Sequence, residues 1–224
     1  MRGVAYGIGV GPGDPELMTL KAVRIIRACD VVAVPGDNPQ HSRAYQITVT
    51  AVPELSRKKL VPLSAPMTRN RAQVEASAHK NAQLLEGLLD VGANVACLTL
   101  GDPTLYSTFT YLRRALEADG YRAEYVSGVP SFCAAAARLG VSLAEGDEAL
   151  RVVPGDPETK DSPLTGTHVI LKGGMRAREI AELLVRDGHE VYAVENCGMD
   201  DERVYRGLDE IPDRLGYLSL LIAR

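Results

Sequence analysis

Short apolar runs alternate with amphipathic stretches along most of the chain. The first run, at 4–10, is apolar and β-prone, and it ends in the turn 11–15. Apolar residues then recur at helical spacing from about 16 to 29, with lysine and arginine on the opposite face. A second apolar strand follows at 30–35. This order predicts a strand–helix–strand unit with parallel strands.

The same alternation continues to the end of the sequence. A long amphipathic helix is predicted over 68–91, and a second helix from about Leu105 to Gly120. The other predicted elements are strands at 94–100, 123–126, 150–153, 168–171, 190–194 and 217–223, an Ala-rich stretch at 132–139, and a helix at about 177–186. Repeated strand–helix alternation is typical of α/β layers. We divide the chain into two α/β domains, 1–127 and 128–224, with Ser127 to Pro130 as the hinge.

Gly-Asp-Pro occurs three times, at 13–15, 101–103 and 155–157, each time after an apolar β-like segment. Glycine allows a tight turn, aspartate caps a helix that begins there, and proline fills the first helical position. That structural role alone accounts for all three joints. Because open α/β sheets bind ligands at the carboxyl ends of their strands, the joints are also candidates for a binding site.

Composition excludes several classes of protein. With 224 residues, 46% hydrophobic and 24% charged, the chain is typical of a globular protein with one large or two small domains. A net charge of −4 provides no overall positive field for nucleic acid or an anionic membrane. We see neither a membrane-spanning run nor a secretory leader, and we expect a cytoplasmic protein. The four cysteines and four histidines are scattered, which predicts reduced thiols and no metal site.

The glycine-rich segment 7–13 does not match the known nucleotide-binding loops. The dinucleotide pattern G-x-G-x-x-G requires glycine where this chain has Pro12 or Asp14, and a P-loop requires lysine and a hydroxyl residue after its last glycine. A nicotinamide-dependent oxidoreductase therefore remains only an alternative of a different class. An acidic residue in a glycine loop suits a ligand with cationic or hydrogen-donating groups, such as S-adenosylmethionine. Asp102 could accept such a hydrogen bond, or it could serve only as a helix cap.

Four segments, in order along the chain, resemble motifs of the tetrapyrrole (corrin/porphyrin) methyltransferase family. They are GVGPGDP at 9–15, LGDPTLYS at 100–107, SGVPSF at 127–132 and VENCG at 194–198. Within the family, segments 15–22 and 98–107 are most similar to members that methylate carbon 20 of precorrin-2. The resemblance implies an S-adenosylmethionine-dependent C-methyltransferase of cobalamin biosynthesis that releases S-adenosylhomocysteine. Its acceptor would be precorrin-2 or cobalt-factor II.

The resemblance also implies a fold, an assembly and a set of site residues. It implies two α/β domains of the tetrapyrrole methylase fold with the cofactor in the cleft between them, usually in a homodimer. The implied cofactor-binding residues are Pro12 in the loop lining the trough, Gly101, Asp102 and Leu105 at the methionine part and ribose, Ser131 and Phe132 in the second domain, and Lys172 and Cys197 at positions that often contact the adenosine.

Two residues are weak candidates for proton transfer, and several basic residues are candidates for holding substrate carboxylates. Tyr106 and Glu195 could assist the loss of a proton. Alternatively, Tyr106 could be a packed aromatic residue, and Glu195 could be a residue at the end of a strand that supports a loop. The basic candidates, which could equally be solvated surface residues, are Arg43, Arg57, Lys58, Lys59, Arg69, Arg71, Arg113, Arg114 and Arg176. The stretch 35–43 could be a lid or a long crossover loop.

Other acceptors remain open within the same kind of fold. The chain could methylate another tetrapyrrole position, or a non-tetrapyrrole acceptor in the manner of diphthine synthase. A ribosomal RNA methyltransferase is less favoured because the sequence shows no concentrated basic surface. A protein that binds the cofactor without turnover is a further alternative.

Overall fold

The chain folds into two compact units, each an α/β structure with its own sheet. The computed structural model describes residues 1–66, 68, 70–155 and 166–224. The units are Met1–Pro130 and Ser131–Arg224, and each contains a five-stranded sheet. Two α/β domains were predicted from the sequence, and this fold class is confirmed. The two units divide at the end of the segment 127–130, three residues after the boundary predicted from the sequence.

The sheet of the first unit is entirely parallel, in the order β3-β2-β4-β1-β5. Its strands and helices are β1 (Val4–Gly9), α1 (Leu20–Ala28), β2 (Val31–Pro35), α2 (Arg43–Ala51), β3 (Lys59–Leu63), α3 (Arg71–Asp90), β4 (Val95–Thr99), α4 (Phe109–Ala118) and β5 (Arg122–Val126). The predicted strand–helix–strand unit at the start of the chain is confirmed as parallel. However, its two strands are not neighbours, because β4 lies between β1 and β2.

The two faces of this sheet carry different helices, and this arrangement locates a site. Ala22 and Ile26 of α1 pack with Ile8 of β1 on one face. Phe109 of α4 packs with Cys97 of β4 on the other face. The connections that leave the neighbouring strands β1 and β4 therefore turn to opposite faces. Such a switch point is where open α/β sheets form a crevice for ligands, at the carboxyl ends of the strands.

The sheet of the second unit is mixed, in the order β6-β7-β10-β8-β9. Its elements are α5 (Ser131–Leu139), β6 (Leu150–Pro154), β7 (Thr167–Leu171), α6 (Ala177–Arg186), β8 (Val191–Glu195), β9 (Arg203–Arg206) and β10 (Ser219–Ala223). Only β6 and β7 pair in parallel, since β10 inserts antiparallel between β7 and β8. As a result, the ends of β7 and β8 and the start of β10 lie at the same edge.

Two helices begin at residues other than those predicted from the sequence. The predicted helix at 16–29 is two elements: a 3-10 helix capped by Asp14, and α1, which is capped by Thr19 through a 3.1 Å bond from the Ala22 N–H. The helix predicted from Leu105 begins only at Phe109. The role of Asp102 as the cap of that helix is therefore wrong.

Several elements were missed, and two predictions cannot be compared with the structure. Strands β3 and β9 and helix α2 were not predicted, and the supposed lid at 35–43 contains a 3-10 helix and the first residue of α2. The third Gly-Asp-Pro joint, from Asp156 onward, and Arg69 lie outside the described residues. All four cysteines are free, as predicted.

Candidate functional site

Three loops meet at the carboxyl edge of strands β4, β1 and β5, and their contact depends on glycine. We call the meeting point of Gly9, Gly11, Gly101 and Gly128 the glycine junction. The Gly101 N–H donates to the Gly11 carbonyl at 2.8 Å. A Cβ on Gly9 would lie 2.6 Å from the Gly128 nitrogen, and one on Gly128 only 2.2 Å from the Gly101 carbonyl oxygen. The motif segments after β1, β4 and β5 are thus brought together by direct backbone packing.

Gly101 is the open side of this junction. Its φ of +67° lies in the left-handed region, which favours glycine. A Cβ built on it would meet no atom closer than the Val129 carbonyl oxygen, at 3.9 Å. Space therefore remains beside the Gly101 backbone, whereas the other sides of the junction are packed. A ligand could approach the backbone here, as the proposed cofactor requires.

Both carboxylate oxygens of Asp102 accept hydrogen bonds from the protein. Oδ1 accepts from the Thr104 N–H at 2.8 Å and from the Thr104 hydroxyl at 2.5 Å. Oδ2 accepts from the Gly128 N–H at 2.9 Å. Burial by itself would raise the pKa of Asp102, but these three hydrogen bonds outweigh it and lower the pKa. Asp102 is therefore an ionised residue that joins the loop after β4 to the loop after β5.

The other predicted site residues of the first unit lie in the same loops. Pro12 is buried, and Leu105 is half-buried. Tyr106 has a φ of +50° and is 48% exposed. An exposed aromatic ring in the loop that follows Gly101 is available to a ligand, whereas buried Pro12 can contribute only its backbone or ring edge.

The predicted site residues of the second unit lie mainly at one edge of its sheet. Lys172 follows β7, and its Nζ stands 5.9 Å from the centre of the Tyr217 ring. Glu195 ends β8 and accepts a 2.5 Å hydrogen bond from the Gly216 N–H. Cys197 is buried just beyond it. The contact of Glu195 favours its interpretation as a loop brace. Ser131 and Phe132 begin α5, where Phe132 is buried.

Unusual backbone conformations coincide with this set of residues. Within the described ranges, the non-glycine residues with positive φ are Tyr106, Lys172 and Asn196. The first two are predicted site residues, and Asn196 lies between Glu195 and Cys197. Left-handed non-glycine residues cost about 1–3 kcal/mol each and cluster at functional sites.

A cleft beside the junction was not predicted from the sequence. It lies at the carboxyl ends of β2, β3 and β4, between α3 and α4. Among the described residues that line it, none is charged; they are Pro35, Leu63, Ser64, Ala65, Pro66, Val74, Ser77, Ala78, Asn81, Cys97, Leu98, Thr99, Thr108, Phe109 and Leu112. Asn81 shapes the rim by exchanging two 2.9 Å hydrogen bonds with the Ser64 backbone. No motif marks this cleft, and it could be found only once β3 was placed beside β2.

The basic residues predicted to hold substrate carboxylates lie at different positions in the fold. Lys59 starts β3, so the triplet 57–59 lies at the edge opposite the junction, and Lys58 donates to the carbonyls of Arg27 and Cys29. Arg43 and Arg71 begin α2 and α3 and lie near the strand ends, and Arg71 pairs with Glu75 at 2.8 Å. The remaining described candidates are Arg114, which is exposed, and Arg113 and Arg176, which pair with Glu117 and Glu179.

The described residues contain neither a cluster of metal ligands nor a membrane-spanning helix. No group of three or more histidine, cysteine, aspartate or glutamate side chains there could hold a metal ion. In the same part of the chain, no helix is both long enough and apolar enough to cross a membrane.

The parallel sheet, the glycine junction at its switch point and the second mixed sheet define a known class of protein. The sequence profile of the tetrapyrrole (corrin/porphyrin) methylases matches residues 4–211, and the chain belongs to this family.

Particular relatives are similar over almost their whole length. A probable cobalt-precorrin-2 C(20)-methyltransferase from Methanocaldococcus jannaschii is 36% identical, covering 98% of this chain and 95% of the relative. The cobalt-precorrin-2 C(20)-methyltransferase of Salmonella typhimurium is 30% identical, covering 99% and 96%. A crystal structure of uroporphyrin-III C-methyltransferase from Thermus thermophilus, complexed with S-adenosyl homocysteine, shares the fold with a TM-score of 0.70 at 23% identity, covering 99% and 97%.

Proposed function

We propose that this protein transfers a methyl group from S-adenosylmethionine to carbon 20 of precorrin-2, or of its cobalt-containing counterpart, in cobalamin biosynthesis. The observation that carries the proposal is full-length similarity to relatives named for this reaction, at 36% and 30% identity. Family membership and the glycine junction at the switch point support it, because they supply a methyltransferase fold and a backbone cradle.

The chemistry of the junction suits the cofactor. S-adenosylmethionine carries an ammonium and a sulfonium and supplies an already activated methyl group, so the protein needs no nucleophile of its own. The open side of Gly101 offers backbone groups and the nearby Val129 carbonyl, which can accept hydrogen bonds from a cationic ligand. Correct placement of the reacting atoms can lower a barrier by about 7–11 kcal/mol.

The acceptor would use the strand ends of the first unit. Arg43 and Arg71 near the strand ends are the candidates for binding its carboxylates, and Arg71 would exchange its present partner Glu75 for one of them. The two proton-transfer candidates remain Tyr106, which is exposed in the loop after β4, and Glu195, which accepts a hydrogen bond from the Gly216 N–H. The cofactor contacts of Pro12, Leu105, Ser131, Phe132, Lys172 and Cys197, and the position of the cofactor between the domains, remain part of this proposal.

The decisive experiment follows binding and product separately. Isothermal titration should detect S-adenosylmethionine, and NADH should give no heat. Incubation with metal-free and with cobalt-containing dihydrosirohydrochlorin should add one methyl group by mass spectrometry, with a matching yield of S-adenosylhomocysteine. A ¹³C-labelled donor then locates the new methyl group by NMR. Cofactor binding without a mass gain would reject this acceptor, and a methyl group on another carbon would reject the assigned position.

We also propose that the protein works in the cytoplasm as a homodimer and takes neither nucleic acid nor a membrane as partner. The net charge of −4 supports the last two points. Analytical ultracentrifugation should give about twice the chain mass of 24.1 kDa. A sedimenting monomer at micromolar concentration would contradict the dimer.

A further inference from the structure

A single peptide group in the loop after β5 is held from both ends by side chains, one from the start of α1 and one from the loop after β4. The carbonyl of Ser127 accepts a 3.2 Å hydrogen bond from the hydroxyl of Thr19. The N–H of Gly128, which belongs to the same peptide group, donates to Asp102 Oδ2 at 2.9 Å. Thr19 lies at the start of α1, beyond the loop that follows β1, and Asp102 lies in the loop after β4. The contact therefore joins the start of α1 and the loop after β4 to the loop after β5.

The clamped peptide lies where the three loops pack most tightly. A Cβ on Gly128 would approach the Gly101 carbonyl oxygen to 2.2 Å and the Gly9 backbone to 2.7 Å. Backbone contacts with Gly9 and Gly101 restrain this peptide on one side, and its two hydrogen bonds hold the direction of its carbonyl and its N–H. The Val129 carbonyl, which lies two peptide groups further along the chain, is the atom nearest to the open side of Gly101.

We propose that Thr19 and Asp102 are positioning residues that clamp the Ser127–Gly128 peptide and so aim the Val129 carbonyl at the space beside Gly101. This inference rests on the proposed function, in which that space takes the cationic part of S-adenosylmethionine. It assigns Asp102 an indirect role, in which its Oδ1 accepts two hydrogen bonds from Thr104 and its Oδ2 holds the Gly128 N–H. It also adds Thr19, which the sequence analysis did not select.

The test is a double-mutant cycle on cofactor affinity. Thr19→Val removes the hydroxyl, and Asp102→Asn removes the charged acceptor. We expect the Kd for S-adenosylmethionine to rise roughly 3- to 10-fold for the first variant and about 10-fold or more for the second. Because both act on one peptide, the double variant should bind about as weakly as Asp102→Asn alone. Factors that multiply in the double variant, or an unchanged Kd in either folded single variant, would overturn the clamp.

Matched controls separate the clamp from general effects of these substitutions. Thr50 donates to the Gln46 carbonyl within α2, and Asp30 accepts from the Asn94 N–H at the opposite edge of the sheet. Thr50→Val and Asp30→Asn should therefore leave the Kd within about 2-fold of the parent value. Thr19→Ser keeps the hydroxyl and should restore binding, whereas weak binding by Thr19→Ser would contradict the assigned hydrogen bond.

Hydrogen exchange tests the clamp without the cofactor. In ¹⁵N NMR spectra of the free protein, the Gly128 amide should exchange several-fold faster in both Thr19→Val and Asp102→Asn. The Ala22 amide, which Thr19 caps, should exchange faster only in Thr19→Val. If the parent protein did not bind S-adenosylmethionine, the proposed function would fail while this measurement still tested the clamp. Unchanged Gly128 exchange in Asp102→Asn would reject it.

Discussion

At the level of single residues, the candidate site depends on positions that tolerate no side chain. Gly128→Ala would push a Cβ to within 2.2 Å of the Gly101 carbonyl oxygen. Because the obstacle is backbone, the loops must shift, and we expect a loss of about 1–3 kcal/mol in the free energy of unfolding. Urea denaturation followed by circular dichroism measures this loss.

Gly87 provides the matched control for this substitution. It lies inside α3, and a Cβ there would meet nothing within 4 Å. Gly87→Ala should therefore raise the free energy of unfolding by about 0.5–1 kcal/mol, because alanine is the better helix former. Equal urea midpoints for Gly128→Ala and the parent protein would contradict the packing of the junction.

The four cysteines differ sharply in exposure, which gives a second prediction at this scale. Burial raises the pKa of the Cys29 thiol to about 12 and raises that of Cys97 as well. Cys197 is buried, and Cys133 on α5 is exposed. Burial raises the pKa of Cys133 as well, so its exposure is what distinguishes it. Because a disulfide reagent must reach the sulfur, we expect one fast-reacting thiol at pH 8. Cys133→Ser should abolish the fast phase; a fast phase that persisted would contradict this assignment.

At the level of elements, helix α3 carries a carboxyl group in an unfavourable place. Burial, together with the neighbouring carboxylates Asp119 and Asp90, raises the pKa of Glu86, and only Arg2 opposes this shift. A carboxyl with a raised pKa destabilises the folded state at pH values above that pKa, and the penalty disappears as pH falls. Glu86→Gln should therefore stabilise the protein at pH 7, by less than about 1 kcal/mol, and should have little effect near pH 4.

Glu75 is the control for this change, because it lies on the same helix and pairs with Arg71. Glu75→Gln should lower the free energy of unfolding at pH 7 slightly or not at all. Thermal melts of both variants at pH 7 and pH 4 make the comparison. A gain for Glu86→Gln that was equally large at both pH values would show that charge is not its cause.

The sequence predicted the elements whose local signals agree with their tertiary packing. Strand β4 and helix α6 were placed almost to the residue, because each has a clear period and a glycine or polar boundary. Strand β3 was missed because Pro62 and the exposed Lys59 obscure its apolar face, and it forms the edge of the sheet.

The candidate site was predictable only as far as its motifs extend. The three glycine-containing segments were found, and the structure brings them together. Thr19 acts through a contact with Ser127, which lies more than 100 positions away along the chain. Gly128 acts through a contact with Asp102, 26 positions away. Local spacing carries no information about such contacts. The cleft was missed for a similar reason, since its walls come from five separate elements.

At the level of the whole molecule, the two units have separate cores. The first unit contains two clusters, one on each face of its sheet, whereas the second contains a cluster around Ile170, Ile180 and Leu221. Each unit can therefore respond to solution conditions through its own buried groups. The second unit contains a buried acid-sensitive group, His168 on β7, which is only 3% exposed to solvent.

Neither ring nitrogen of His168 has a hydrogen-bond partner among the described residues, and its ring contacts that of His189 with the centroids 5.4 Å apart. Burial is the main cause of the lowered pKa of His168, and the nearby His189 and Arg151 lower the pKa further. The unfolded chain has the ordinary histidine pKa of about 6.5, whereas the folded pKa is lower. Above pH 6.5 the ring is neutral in both states, and the native state keeps its full stability. As pH falls below 6.5 the unfolded state binds a proton more readily, and the free energy of unfolding decreases. We therefore expect acid to open the second unit before the first.

Hydrogen exchange with mass spectrometry at pH 7 and pH 5 tests this order. Peptides from β7 and β10 should lose protection at pH 5 while those from β1 and β4 keep it, after correction for the intrinsic exchange rates. His168→Phe keeps a ring of similar size but cannot be protonated, so it should retain up to about 2 kcal/mol of the free energy of unfolding that the parent protein loses by pH 5. His79→Phe, on α3 of the first unit, is the control and should not protect β7. Equal loss of protection in both units of the parent protein would exclude His168 as the group that sets the order of acid unfolding.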